Sequence, residues 1–169
     1  MGLYDIPVHE SSPEVINCIV EIPRGTSAKY EYDNDLEVFA YDRSLLPTMV
    51  YPSNYGFVPH TMTEDGDPLD VLVYNRTPIQ RGTLVECRPL GVLDMIDSGE
   101  QDYKILAIPV SHIRNYQSID EVDSFFLKIC INFFQHYKEL NGKTVQVLGW
   151  KDKAESFRVI EDSIKQFSP

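Results

Sequence analysis

For its first 110 residues the chain alternates apolar and polar positions in short period-two runs, and from residue 118 the apolar positions recur at helical spacing. Residues 15–22 form a β-rich run closed by Pro23, which predicts a buried strand with the carboxylate of Glu21 near its end. Residues 29–32 and 36–41 alternate on either side of Asp33-Asn34-Asp35, the pattern of a hairpin. Residues 47–60 carry Pro47, Tyr51, Pro52, Asn54, Tyr55, Gly56 and Pro59, and read as an ordered loop in which tyrosines serve packing. Strand runs follow at 70–74, 83–88, 91–95 and 104–109, with a last one at 144–149. Residues 1–13, ending in Ser11-Ser12-Pro13, read as a loose arm.

The helical stretch begins with Ser118-Ile119-Asp120-Glu121, which has the form of a capping box. Val122, Phe125, Phe126, Ile129, Cys130, Phe133, Phe134, Tyr137 and Leu140 then line one face up to Asn141-Gly142, predicting a long helix over about 118–140. A shorter helix is expected from Asp152, with Phe157, Ile160, Ile164 and Phe167 inward. Many short strands at close intervals suggest an antiparallel barrel or sandwich, with the long helix covering one side. No repeat, low-complexity tract or interdomain linker interrupts residues 1–169, so a single domain is expected.

Charge narrows the function. Fifteen basic against twenty-six acidic residues give a net charge of -11, which argues against nucleic acid or an anionic membrane as partner. No apolar run approaches the roughly 20 residues of a membrane span, and no secretory signal opens the chain, so a cytoplasmic location is expected. Cys18, Cys87 and Cys130 are widely spaced and include no C-x-x-C pair, unlike a disulfide framework or zinc ribbon. His9, His60, His112 and His136 likewise lack metal-ligand spacing and read as structural. An EF-hand at Asp33/Asp35/Glu37 fails because Val38 stands where that loop needs glycine.

The acids are the feature hardest to explain as ordinary structure. Glu64-Asp65-Gly66-Asp67-Pro68-Leu69-Asp70 packs four carboxylates into a turn that glycine and proline make tight, and it runs straight into an apolar strand. Two carboxylates about 4 Å apart repel by roughly 4 kcal/mol at an effective dielectric of 20, so such a group needs a cation or a raised pKa. Period two puts Asp70 and Leu72 on one strand face and Val71 and Val73 on the other. Asp97 and Asp102 flank the turn before the 104–109 run, and if the two strands are neighbours the acids converge. An all-oxygen set of this kind favours Mg²⁺ or Mn²⁺ over zinc. Glu21, taken alone, reads either as a solvated strand end or as a ligand.

Taken together, Glu21-Ile22-Pro23, Lys29-Tyr30-Glu31, Asp42-Arg43, Tyr51-Pro52-Ser53-Asn54-Tyr55-Gly56, Asp65-Gly66-Asp67-Pro68-Leu69-Asp70, Asp97 with Asp102 and Lys104, and Phe133-Phe134-Gln135-His136-Tyr137-Lys138 carry a resemblance. The chain resembles the soluble family I inorganic pyrophosphatases of bacterial type, over almost its whole length. The resemblance implies a five-stranded, OB-like closed β-barrel with flanking helices, a homohexamer, and Mg²⁺-dependent hydrolysis of pyrophosphate to two phosphates. Several Mg²⁺ ions are implied, with Mn²⁺ or Zn²⁺ as substitutes. By motif position, Asp65, Asp70, Asp97 and Asp102 match metal ligands, and Glu21 and Glu31 match acids that serve a further metal through water. Lys29, Arg43, Tyr55, Lys104, Tyr137 and Lys138 match phosphate-binding groups, and Asp67 matches the general base. Ser98 departs from the pattern, standing where an acid is common, and the turn after Pro23 is about a residue shorter.

These residue types suit the chemistry on general grounds. A water shared by two Mg²⁺ ions loses many pKa units from its bulk value of about 15.7, so a carboxylate can take its proton near neutrality. An acidic protein can bind a small anion when metals stand between them and Lys or Arg faces the substrate. Two alternatives share part of the pattern. An aspartyl-nucleophile phosphatase also uses D-x-D, but there a strand precedes the first Asp, whereas here the strand follows. A non-catalytic OB-like binding module would accommodate the barrel but not the clustered acids.

Overall fold

A computed structural model describes residues 2–167. In chain order the strands are β1 (Ile16–Ile22), β2 (Ala28–Asp33), β3 (Val38–Ser44), β4 (Asn54–Val58), β5 (Leu69–Val73), β6 (Leu84–Asp97), β7 (Glu100–Gln101), β8 (Lys104–Pro109) and β9 (Val145–Lys151). The helices are α1 (Ser124–His136) and α2 (Lys153–Gln166). β1 pairs with β4, β4 with β5, β5 with β8, β8 with β6, and β6 returns to β1, so five strands close into a ring. β7 and β9 extend β6, and β2 with β3 forms a separate hairpin.

The two faces of the strands divide the core. Leu72 and Leu106 belong with Leu90, Leu93, Phe133 and Phe134 on the side covered by α1. Val71, Val73, Ile105 and Ala107 belong with Val159 and Ile160 on the side covered by α2. Burial of both faces explains why these strands read as continuous apolar runs rather than clean alternation. Trp150 ties β9 to α1 by donating from Nε1 to the Leu127 carbonyl at 3.1 Å. Cys18, Cys87 and Cys130 are buried and free.

Several expectations need correction. The long helix is interrupted. The Ser118–Glu121 box caps only a 3-10 turn, Ile119–Glu121; the chain then extends through Val122, and Asp123 caps α1 by accepting from the Phe125 N–H. Helix geometry resumes only briefly beyond Tyr137, as a 3-10 turn ended by left-handed Gly142. At 14 residues α2 is not shorter than α1, which has 13. Residues 54–58, expected within a loop, form a fully buried strand. Their Gly56 marks backbone contact, because a Cβ there would lie 1.8 Å from the Ile19 carbonyl oxygen of β1. The 83–88 and 91–95 runs are one 14-residue strand, carried past Pro89 by a bulge between Pro89 and Gly91. The ring is not wholly antiparallel, since β5 and β8 run parallel. The amino-terminal arm is not loose: Leu3–Asp5 is a 3-10 turn, and His60 N–H donates to the Tyr4 carbonyl at 2.9 Å.

Candidate active site

The parallel pairing of β5 with β8 builds the centre of the site. It sets Asp70 opposite Lys104, both on the face that carries Leu72 and Leu106 further along. The face therefore changes from leucine to charge at the strand ends. Lys104 Nζ, nearly inaccessible, donates to Asp70 Oδ2 at 2.5 Å, Asp102 Oδ1 at 2.8 Å and Tyr55 Oη at 3.0 Å. Burial works against this ammonium, but Asp102 and Asp70 outweigh it and hold its pKa well above the usual lysine range. Burial raises the Asp70 carboxyl, and Lys104 only partly offsets it.

The loop before β5 presents the other acids. Gly66 takes a positive φ of 88° at its tip. Asp65 Oδ1 accepts from Thr63 Oγ1 at 2.5 Å and from the Asp67 N–H at 3.0 Å, which fixes the turn. Thr61 Oγ1 donates to the Val58 carbonyl and accepts from the Leu69 N–H, so the base of the loop is pinned where strand pairing ends. The Asp67 carboxyl is raised, first by burial and then by Asp65 and Glu31.

Asp65, Asp97, Asp102 and Lys138 line one cavity of about 190 Å³, and Asp70 and Asp102 line a second of about 300 Å³. Asp102 is common to both. Lys138 bonds Asp97, and although burial alone would raise this carboxyl, Lys138 outweighs it and holds Asp97 below the usual range. Ser98 has a positive φ of 53° and donates to Asp97 Oδ1 at 3.1 Å, so the substituted position still orients the acid beside it.

The β2–β3 hairpin brings the remaining groups. Lys29 Nζ lies 2.5 Å from Glu31 Oε1 and 3.4 Å from Asp42 Oδ2, and Arg43 Nη1 donates to Asp42 at 2.8 Å. Glu21 is buried in β1 and accepts from the Tyr32 N–H of the hairpin at 2.8 Å. Burial pushes its carboxyl up to about 8, with Asp70 and Glu31 adding to the shift. Tyr137 is buried in the cluster with Phe133 and Phe134, and its phenol is raised, first by burial.

Two candidate residues, Asp42 and Tyr51, stand in motifs that carry the resemblance but were given no site role from the sequence. Asp42 spaces the Lys29 and Arg43 cations, but its carboxylate had no spacing to set it apart. Tyr51, counted among the packing tyrosines, has a buried hydroxyl with no hydrogen-bond partner, as have Arg43 Nε and Nη2. Buried donors without acceptors are rare enough to call for an explanation.

Residues 18–168 match the family model described as inorganic pyrophosphatase. The chain belongs to the inorganic pyrophosphatase family. It is 43% identical to the inorganic pyrophosphatase of Nostoc sp. over 169 residues, covering 99% of each sequence. It is 39% identical to that of Aeropyrum pernix over 171 residues, covering 98% of this chain and 97% of the relative. The crystal structure of the inorganic pyrophosphatase from Thermus thermophilus superposes with a TM-score of 0.94 at 37% identity, covering 99% of both chains. The closed five-strand ring with its two helices is thus a pyrophosphatase fold.

The carboxylate set of this family member suits a hard divalent cation. All its donors are carboxylate oxygens, and burial raises the Glu21 and Asp70 carboxyls, a shift that a bound cation would oppose. Among the described residues no three such groups stand together as a ready-made shell. The cations between them are the chain's own lysines, Lys104 for Asp70 and Asp102, and Lys138 for Asp97.

Proposed function

We propose that this chain hydrolyses inorganic pyrophosphate to two phosphates in a reaction that requires Mg²⁺, with Mn²⁺ or Zn²⁺ as substitutes. The observation that carries the reading is a pair of opposite needs at one place. Desolvated carboxylates call for positive charge, while buried donors on Arg43 and Tyr51 call for an anion. A metal–pyrophosphate pair meets both.

Asp65, Asp70, Asp97 and Asp102 would hold the metal ions, with Glu21 and Glu31 serving a further one. Bound there, the ions supply positive charge to the phosphate oxygens and lower the pKa of water at the site. Asp67, whose raised pKa makes it a better proton acceptor than an ordinary aspartate, takes the proton of the attacking water at its carboxylate. Lys29, Arg43, Tyr55, Lys104, Tyr137 and Lys138 bind phosphate oxygens, orient the substrate in line and stabilise the departing phosphate. Tyr55 and Tyr137 are held protonated by burial and so remain donors.

We read the whole chain as one domain of a cytoplasmic homohexamer. Exposed Phe125, Ile129 and Leu148 are the kind of surface that subunit contacts would cover. The test is phosphate release from a panel of substrates in Mg²⁺, with acid quenching to trap any acyl phosphate. Rapid release from pyrophosphate, slow release from phosphomonoesters and no phosphoaspartate are expected. A phosphoaspartate at Asp65 would establish the aspartyl-nucleophile mechanism instead. Binding of single-stranded nucleic acid without phosphate release would establish a binding module.

A further inference from the structure

The first turn of the chain touches both segments that bring acids to the site. On one side Tyr4 Oη donates to the Tyr32 carbonyl at 3.2 Å, and the Leu3 N–H donates to Tyr32 Oη at 3.1 Å. The N–H of the same Tyr32 is the one that donates to Glu21 Oε1 at 2.8 Å. On the other side the Tyr4 carbonyl accepts from the His60 N–H at 2.9 Å. His60 opens the loop that carries Asp65 and Asp67, and it holds a φ of 59°, a left-handed conformation uncommon for a non-glycine residue. The Tyr4 ring packs edge-on to Tyr32 of β2 at 5.6 Å and to Phe57 of β4 at 5.1 Å between centroids.

We propose that Tyr4 is a positioning residue of the metal site, a bracket that holds Glu21 and the Asp65–Asp67 loop in fixed relation. The proposal rests on the reading of these acids as cation-binding groups. Packing alone does not account for the contacts. A phenylalanine would fill the same space, yet the phenol oxygen is spent on the carbonyl of Tyr32, the residue whose N–H meets Glu21. The hydroxyl also stays protonated, since burial and then the charges of Glu21, Asp67, Glu31 and Asp70 raise its pKa. It therefore donates throughout the working pH range. The acids reach one another through a rigid link rather than through a flexible arm, which matters because site geometry has to hold to within about 0.5 Å.

The test uses the full chain, stripped with chelator, and calorimetric titration with Mg²⁺ on wild type, Tyr4→Phe, Glu21→Gln and the double variant. Melting in chelator is measured on each. Tyr4→Phe keeps the ring and the His60 bond and loses only the donor. It is expected to weaken Mg²⁺ binding roughly three- to tenfold, the scale of one hydrogen bond, while melting falls by no more than a few degrees. In the double variant it should add nothing to the effect of Glu21→Gln. Wild-type Mg²⁺ affinity in Tyr4→Phe, with or without lower melting, would overturn the proposal, because a purely structural role moves melting alone. Equal weakening by Tyr4→Phe in both backgrounds would overturn it too, since the hydroxyl would not be acting through Glu21. If Glu21→Gln itself leaves Mg²⁺ binding unchanged, the metal role of Glu21 falls and takes the bracket with it. If Glu21→Gln weakens binding and Tyr4→Phe does not, only the bracket falls.

Discussion

Glu21 sits in β1 with its carboxyl raised from 4.5 to about 8, so in metal-free protein the folded state holds a proton that the unfolded chain releases. Its contribution to stability is full below about pH 4.5 and is lost as pH rises through about 8. Glu21→Gln keeps the acceptor for Tyr32 and removes the titration. In chelator the variant should melt close to wild type at pH 4 and be more stable at pH 8 by roughly 3–5 kcal/mol, read from denaturation curves across pH. Asp67 is assigned a different part, the proposed general base, which accepts a proton rather than holding a metal. Asp67→Asn should cut turnover by roughly 10²–10⁴ and remove the acidic limb of the pH–rate profile, while calorimetry finds Mg²⁺ binding little changed. Which residues were legible follows from the same chemistry. Asp65, Asp67 and Asp70 stand out because repulsion makes their spacing costly without a purpose. Tyr51 was hidden because a loop tyrosine serves packing as readily as a ligand; only the unmet hydroxyl separates the two.

At the scale of elements, the sequence pattern located most strands and failed where local chemistry mimics something else. Residues 54–58 carry Asn54 and Gly56 between Pro52 and Pro59, all turn formers, yet the strand is buried because Gly56 lets β1 approach. Pro89 split β6 on paper because proline normally ends a ladder; the bulge beside it absorbs the missing donor. The Ser118–Glu121 box is real but caps a single 3-10 turn, and helix propensity along 118–140 could not reveal that Val122 is extended. Asp123 is the cap that counts for α1. Asp123→Ala should therefore cost about 1 kcal/mol, lowering the melting temperature by roughly 2–4 °C. A calorimetric scan showing no loss would place the start of the helix elsewhere. That the 70–74 and 104–109 runs would be neighbours was raised from the acids; that they pair in parallel, setting Asp70 against Lys104, could not be read, since parallel partners lie far apart in sequence.

Across the whole molecule, a net charge of -11 and a proposed anionic substrate are reconciled by how charge is arranged. Lys104 and Lys138 are already engaged by carboxylates, and Arg43 and Tyr51 hold donors in reserve. Among the described residues no helix is long and apolar enough to cross a membrane. Family membership and the ring of five strands set the scaffold; the acids at the ends of β5, β6 and β8 set the chemistry proposed for it. Phosphate release from pyrophosphate by the full chain, assayed in Mg²⁺ and in chelator with Asp70→Asn alongside, tests that chemistry most directly. Wild type should release phosphate only with Mg²⁺, and Asp70→Asn should fall at least about a hundredfold with its fold intact by circular dichroism. Release that persists in chelator, or near-normal turnover by Asp70→Asn, would contradict the account.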